Sequence, residues 1–137
     1  MRNALRDLQD DRCFYCEDRL PDDHHVDHFI PWSRHADNSL ENLVAADGRC
    51  NGSKRDYLAS AEHVARWCAR SVERAADLGR ISLDRGWELQ PKRSLRVASA
   101  VYNMLPGDTP LWHRGETFVK MDGERIAGSI ASALRAA

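Results

Sequence analysis

Residues 25–58 set the tightest limit on the fold, because strand, loop, strand and helix follow one another there with almost no spacer. His25-Val26-Asp27-His28-Phe29-Ile30 has strand character and is closed by Pro31, which cannot donate to a sheet ladder. The polar stretch from Pro31 to Glu41 has no apolar period and is expected to be a loop. Leu43-Val44-Ala45-Ala46 suits a second short strand, Asp47-Gly48 a turn, and a helix is expected from Cys50 or Asn51 through Tyr57-Leu58. A unit this small buries too little surface to stand alone, so the rest of the chain should support it.

That remainder reads as mainly helical. Leu5 and Leu8 lie at helical spacing before a knuckle, Cys13-Phe14-Tyr15-Cys16, and Leu20-Pro21-Asp22-Asp23 looks like a turn. From Ser60, the apolar positions Val64, Trp67, Cys68, Val72, Ala75 and Ala76 recur at three- and four-residue steps until Gly79, where a stop is expected. Leu95 to Leu105 suggests another helix ending at Pro106-Gly107. Thr117 to Met121 has strand character before the turn Asp122-Gly123, and Ile126 to Leu134 suits a terminal helix. At 137 residues, 42% of them hydrophobic and 30% charged, the chain is expected to form one domain over residues 1–137.

Charge is uneven although the net value is only -1. Residues 1–48 hold five Lys/Arg against eleven Asp/Glu, and residues 49–96 hold eleven against six. Acidic beside basic suits a site that sets metal-binding carboxylates next to a phosphate-binding surface, although two solvated faces would look the same. No apolar run approaches the length of a membrane span, and the start, Met1 to Asp7, lacks the apolar stretch of a signal peptide, so a cytoplasmic protein is expected. In that compartment Cys13, Cys16, Cys50 and Cys68 would be reduced, which favours metal binding or burial over disulfides.

Three segments taken together are more informative than any of their residues. Val26-Asp27-His28-Phe29-Ile30-Pro31, then Asn38-Ser39-Leu40-Glu41-Asn42-Leu43-Val44, then Cys50-Asn51-Gly52-Ser53-Lys54 resembles the HNH endonuclease signature, in the HNN-type subgroup whose third letter is Asn. The resemblance covers roughly residues 13–58. It implies an α+β fold with a ββα-metal core, a two-stranded hairpin plus a helix, on which the additional helices read from apolar spacing over residues 60–137 are expected to pack. It also implies hydrolysis of DNA phosphodiester bonds, in a setting such as restriction or phage defence.

The chemistry needs these residue types. An imidazole titrating near neutrality can take a proton from water, so His28 is the expected general base. A hard ion such as Mg2+, or Mn2+ in its place, prefers oxygen ligands, and the resemblance implies Asp27 and Asn51 as those ligands. Adjacent strand residues face opposite ways, so the sequence alone does not show Asp27 and His28 converging. The resemblance implies an architectural role for Asn42, bonding the backbone that orients the base. Arg49, Lys54 and Arg55 are expected at DNA phosphates.

Many HNH proteins brace the hairpin with a structural Zn2+ on two Cys-x-x-Cys pairs. Here the first pair is Cys13 and Cys16, while the second is broken, with Asp47 three positions before Cys50. Zinc accepts carboxylate oxygen, so Cys13, Cys16, Asp47 and Cys50 form the preferred set, with His24 or His25 as alternative fourth ligands. Cys68 is expected in the core. Arg66, Arg70 and Arg74, four apart, read as solvated surface more readily than as a phosphate track. DNA is the expected partner, and a double-strand cut would need a homodimer or two sequential nicks. The competing function is a zinc-braced DNA-binding module without catalysis.

Overall fold

The computed structural model describes residues 1–137, with six helices and two small antiparallel hairpins. Helix α1 spans Arg2–Leu8 and leads into the cysteine knuckle, a reversal in which Arg12 pairs with Arg19 and the Cys13 N–H donates to the Asp18 carbonyl at 2.8 Å. The first hairpin joins β1 (His25–His28) to β2 (Leu43–Ala46) in the register His25 to Ala46 and His28 to Leu43. A 3-10 turn at Leu40–Asn42 leads into β2, and α2 (Gly48–Lys54) follows at once. This is the strand, strand, helix order expected of a ββα core.

The outer edge of β2 is covered by a side chain. The Gln9 amide accepts from the Ala45 N–H at 2.8 Å and donates to the Ala45 carbonyl at 2.9 Å, standing in for a neighbouring strand. All of β2 is buried, which its Leu-Val-Ala-Ala sequence permits because no polar side chain needs a partner there.

The long helix expected to stop at Gly79 is instead two helices. Helix α3 (Ala61–Glu73) ends at Arg74, and α4 (Ala75–Arg85) runs straight through Gly79 to Gly86, whose φ of 61° supplies the left-handed cap. An interior glycine costs a helix only about 1 kcal/mol, so Gly79 cannot end it unaided. Helix α5 (Pro91–Asn103) begins with proline in its first turn, where the missing N–H is harmless. Strand β4 (Thr117–Lys120) and α6 (Gly123–Ala136) lie where expected. Strand β3 (Pro110–Arg114) went unpredicted because Pro-Leu-Trp-His-Arg offers no sustained alternation, and it depends on β4 and on backbone bonds to Leu58 and Ser60.

One cluster of 29 buried apolar residues runs from Leu5 to Ala133, so the hairpin and the later helices share a core. Its centre is aromatic. Trp67 of α3 stacks on Phe29 with ring centroids 4.7 Å apart, Phe14 meets Phe29 edge-on at 5.7 Å, and Tyr15 meets Trp112 edge-on at 5.1 Å. Such contacts add about 0.5–1.5 kcal/mol each beyond area burial. Cys68 is buried here, clear of the other cysteines.

The arginines of the α3 stripe are buried at Arg70 and part-buried at Arg66 and Arg74, and all three are turned to backbone carbonyls. Arg66 donates to the carbonyls of Phe14 and Tyr15, Arg70 to those of Leu43 and Glu41 at 2.9 and 2.8 Å, and Arg74 to that of Leu8 at 3.1 Å. These guanidiniums satisfy backbone carbonyls that strands and helix ends leave open, and so fasten α3 to the knuckle and hairpin. No helix is long and apolar enough to cross a membrane.

Candidate functional site

Asp27, on β1, has a side chain only 12% exposed. The Tyr15 hydroxyl donates to its Oδ2 at 2.5 Å, and the Lys54 ammonium lies 3.2 Å from the same oxygen. Oδ1 takes no protein hydrogen bond and is free to accept another partner. Burial, reinforced by the Asp27 charge, holds the Tyr15 phenol well above its usual range, so Tyr15 remains a donor.

Lys54 is not at the surface where a phosphate contact would need it. Its side chain is fully buried, and its ammonium also donates to the His28 carbonyl at 3.3 Å. Burial lowers its pKa, while the Asp27 charge works against that fall. A seven-residue helix fixed by its Asp47 cap turns Lys54 inward, a direction that a count of basic residues could not reveal. Asn51 lies three residues earlier, hence on the same face of α2, and its partly exposed side-chain amide makes no hydrogen bond. Asp27 and Lys54 pair across the β1–α2 junction.

His28 is the next residue along β1 and the last of that strand. Its Nε2 lies 2.9 Å from Asn38 Oδ1, and its ring centroid is 5.5 Å from that of Trp32. With the amide oxygen as acceptor, Nε2 carries the proton and Nδ1 presents a lone pair. Asn38 was missed in the sequence because a polar loop residue carries no spacing signal. Its own carbonyl accepts from the Trp87 indole N–H at 2.8 Å, so the segment between α4 and α5 reaches the loop that holds the imidazole.

Asn42 is completely buried, and its amide is saturated by backbone. Oδ1 accepts from the Ile30 N–H at 2.8 Å, while Nδ2 donates to the Ile30 carbonyl at 3.1 Å and to the Asp37 carbonyl at 2.9 Å. It therefore ties the residue after the β1 end to the far side of the 31–37 loop. That loop is gripped from the later helices too. The Ser94 hydroxyl donates to Asp37 Oδ2 at 2.6 Å, the Gln90 N–H donates to Glu41 Oε1 at 2.6 Å, and the Trp67 indole donates to the Glu41 carbonyl at 2.7 Å. Burial raises both carboxyls, but the Ser39 and Ser94 hydroxyls outweigh it at Asp37, which is lowered, and not at Glu41, which stays raised.

Where β2 runs into α2, Cys13, Cys16, Asp47 and Cys50 bring their donor atoms within 4.8 Å of one another. Asp47 caps α2 by accepting from the Cys50 N–H on Oδ1 at 2.8 Å, and its Oδ2 lies 3.2 Å from the Cys16 sulfur. The Cys50 thiol donates to Cys13, which lowers Cys13 to about 6 and raises Cys50, while burial pushes Cys16 up to about 12. Three thiols and a carboxylate crowded this closely suit a soft dication that neutralises them together. His24 is no competitor, since its Nδ1 and Nε2 are engaged at 3.1 Å by the carbonyls of Pro21 and Arg2. His25 stands outside the cluster.

Arg49 and Arg55, at the two ends of α2, are exposed, and Arg49 stands 3.9 Å from Asp18 across open surface. Residues 13–60 match the family described as HNH endonuclease. Comparison with curated proteins returns no match. The stretch that is similar to the HNH endonuclease family begins at the first knuckle cysteine, ends shortly after α2, and includes Asp27 and His28 on β1, Asn42 at the end of the 3-10 turn and Asn51 on α2.

Proposed function

We propose that the chain is a metal-dependent endonuclease that hydrolyses phosphodiester bonds in DNA, with His28 as general base and with Asp27 and Asn51 as ligands of a catalytic Mg2+ or Mn2+. The observation that carries this reading is the state of His28, one nitrogen occupied by Asn38 and the other free, next in sequence to a carboxylate that keeps one oxygen unbonded. The donor set fits a hard cation, because Asp27 Oδ1 and the Asn51 amide oxygen are both oxygens without a protein partner. Once bound, such an ion supplies positive charge to the phosphoryl oxygens and the leaving oxygen.

The protein's own groups do the rest. His28 Nδ1 takes the proton of the attacking water as its oxygen bonds to phosphorus. The bond to the leaving 3'-oxygen breaks, and a proton reaching that oxygen completes a 5'-phosphate and a 3'-hydroxyl. Asn38 holds the imidazole in the tautomer that leaves Nδ1 basic, and Asn42 holds the Ile30 and Asp37 backbone between which the loop is strung. Tyr15 and Lys54 occupy one oxygen of Asp27 and leave the other to face a cation. Arg49 and Arg55 are the candidates for DNA phosphates.

Nicking of a supercoiled plasmid tests this reading. Relaxation is expected with Mg2+ or Mn2+, and no cutting is expected when the divalent ion is omitted. DNA binding without metal-dependent cutting would replace this reading with a non-catalytic DNA-binding one.

Cys13, Cys16, Asp47 and Cys50 are the proposed ligands of a structural Zn2+. Purified protein is expected to carry about one zinc per chain by elemental analysis. Cys50→Ser is expected to lose zinc and melting temperature together, since the binding energy of a structural zinc is also folding energy. A zinc-free chain whose melting is indifferent to added zinc would refute that assignment.

A further inference from the structure

We propose that Trp32 is a stacking platform for an unpaired nucleobase beside the scissile phosphate, so that the substrate of this site is single-stranded or locally opened DNA. The inference rests on the nuclease reading for its choice of ligand.

Trp32 is 55% exposed, whereas Trp67 and Trp112 are wholly buried and Trp87 is part-buried with its N–H bonded to Asn38. An indole left in water forgoes the large burial that normally holds tryptophan in place. A lone exposed aromatic is ordinary on a protein surface, so its setting has to supply the argument.

That setting is specific in two ways. The ring lies 5.5 Å from the His28 imidazole at an interplanar angle of 59°, so its remaining surface opens beside the imidazole. It also sits in a braced turn. Pro31 precedes it, and the Pro31 carbonyl accepts from the Arg34 and His35 N–H groups at 2.9 and 3.2 Å. The Arg34 Nε then donates to the Asp56 carbonyl at 3.4 Å, tying the turn to the chain next to exposed Arg55.

A base is joined to its phosphate through a single sugar. A phosphate within reach of His28 therefore brings a flanking base to Trp32, with cationic Arg34 and Arg55 along the same stretch. Every base has a π-face, so stacking there needs no sequence motif. In a closed duplex those faces are already covered by neighbouring pairs. Only an unpaired or extruded base can use the indole, and this is what selects the substrate class.

The test is a fluorescence titration of the full-length protein with a short single-stranded oligodeoxynucleotide, without added divalent ion so that no cutting occurs. Of the four tryptophans only Trp32 is freely exposed, so quenching on addition of DNA is expected to vanish in Trp32→Phe while binding measured by anisotropy is largely kept. Trp32→Ala is expected to weaken single-strand binding about 5- to 150-fold, the range spanned by one aromatic–base stack. It should weaken duplex binding much less. Circular dichroism should be unchanged, since the side chain is exposed.

An unquenched wild type, or single-strand affinity unchanged in Trp32→Ala, overturns the proposal. So does an equal loss on single strand and duplex. The two readings fail separately. Quenching and a Trp32→Ala defect in a protein that never cuts would sink the nuclease and leave the stacking site, whereas metal-dependent cutting with no Trp32 effect would do the reverse.

Discussion

His28→Ala is expected to lower plasmid cleavage at least about 100-fold at saturating Mg2+, the lower end of what a positioned general base contributes. The loss should fall on turnover and leave binding nearly untouched, because the imidazole takes the water's proton only as the phosphorus–oxygen bond forms. Stability should barely move. The ring is only part-buried and sits against Asn38 and exposed Trp32. A variant that melts and binds DNA like the wild type yet cuts at the same rate would remove His28 from the mechanism, whatever its family position. Retention of the fold matters to this test, since it separates lost chemistry from a lost hairpin.

The parts of this molecule legible in the sequence are those that obey local rules. Strand period and the proline after Ile30 place β1 and β2 within two residues of expectation, whereas the expected Asp47-Gly48 turn is the cap and first residue of α2, which ends at Lys54 instead of Leu58, and the apolar spacing from Val64 onward spans two helices instead of one. The cysteine cluster was legible for a different reason. Ligand spacing is set by the geometry of a tight turn and a helix start, and a carboxylate can replace a thiolate as donor without moving the backbone.

What escaped was decided by long-range contacts. Lys54 was assigned to a phosphate because it is charged. Its position on α2 instead turns it into the protein, where Asp27 and the His28 carbonyl compensate for the loss of water. The same holds for Arg66, Arg70 and Arg74, whose partners lie between 27 and 66 residues away. Asn38 and Tyr15 are further examples. Neither carries a spacing signal of its own, yet one engages the imidazole and the other the carboxylate. The role of the later helices was equally hidden, because it consists of single hydrogen bonds from Trp67, Trp87, Gln90 and Ser94 onto one loop.

That loop makes Asn42→Ala the substitution with the largest expected structural cost. The change deletes hydrogen bonds to the Ile30 N–H, the Ile30 carbonyl and the Asp37 carbonyl, all in a region closed to water. A net value of about 1 kcal/mol for each bond gives about 3 kcal/mol, and stranding buried backbone groups carries the total toward about 5 kcal/mol. For a chain of this size that corresponds to a fall in melting temperature of about 10 °C or more. Asn42→Asp keeps the acceptor for Ile30 and loses both donors, so it should be damaged too, with a new carboxylate facing two carbonyls. Cleavage should decline further than the folded fraction accounts for, because the released loop also carries Asn38 and with it the tautomer of His28. Measuring rate per folded molecule at a temperature well below the new midpoint isolates that second effect. If the surviving folded Asn42→Ala protein cut at the wild-type rate, the bonds from residue 42 would support the hairpin alone and have no part in orienting the base.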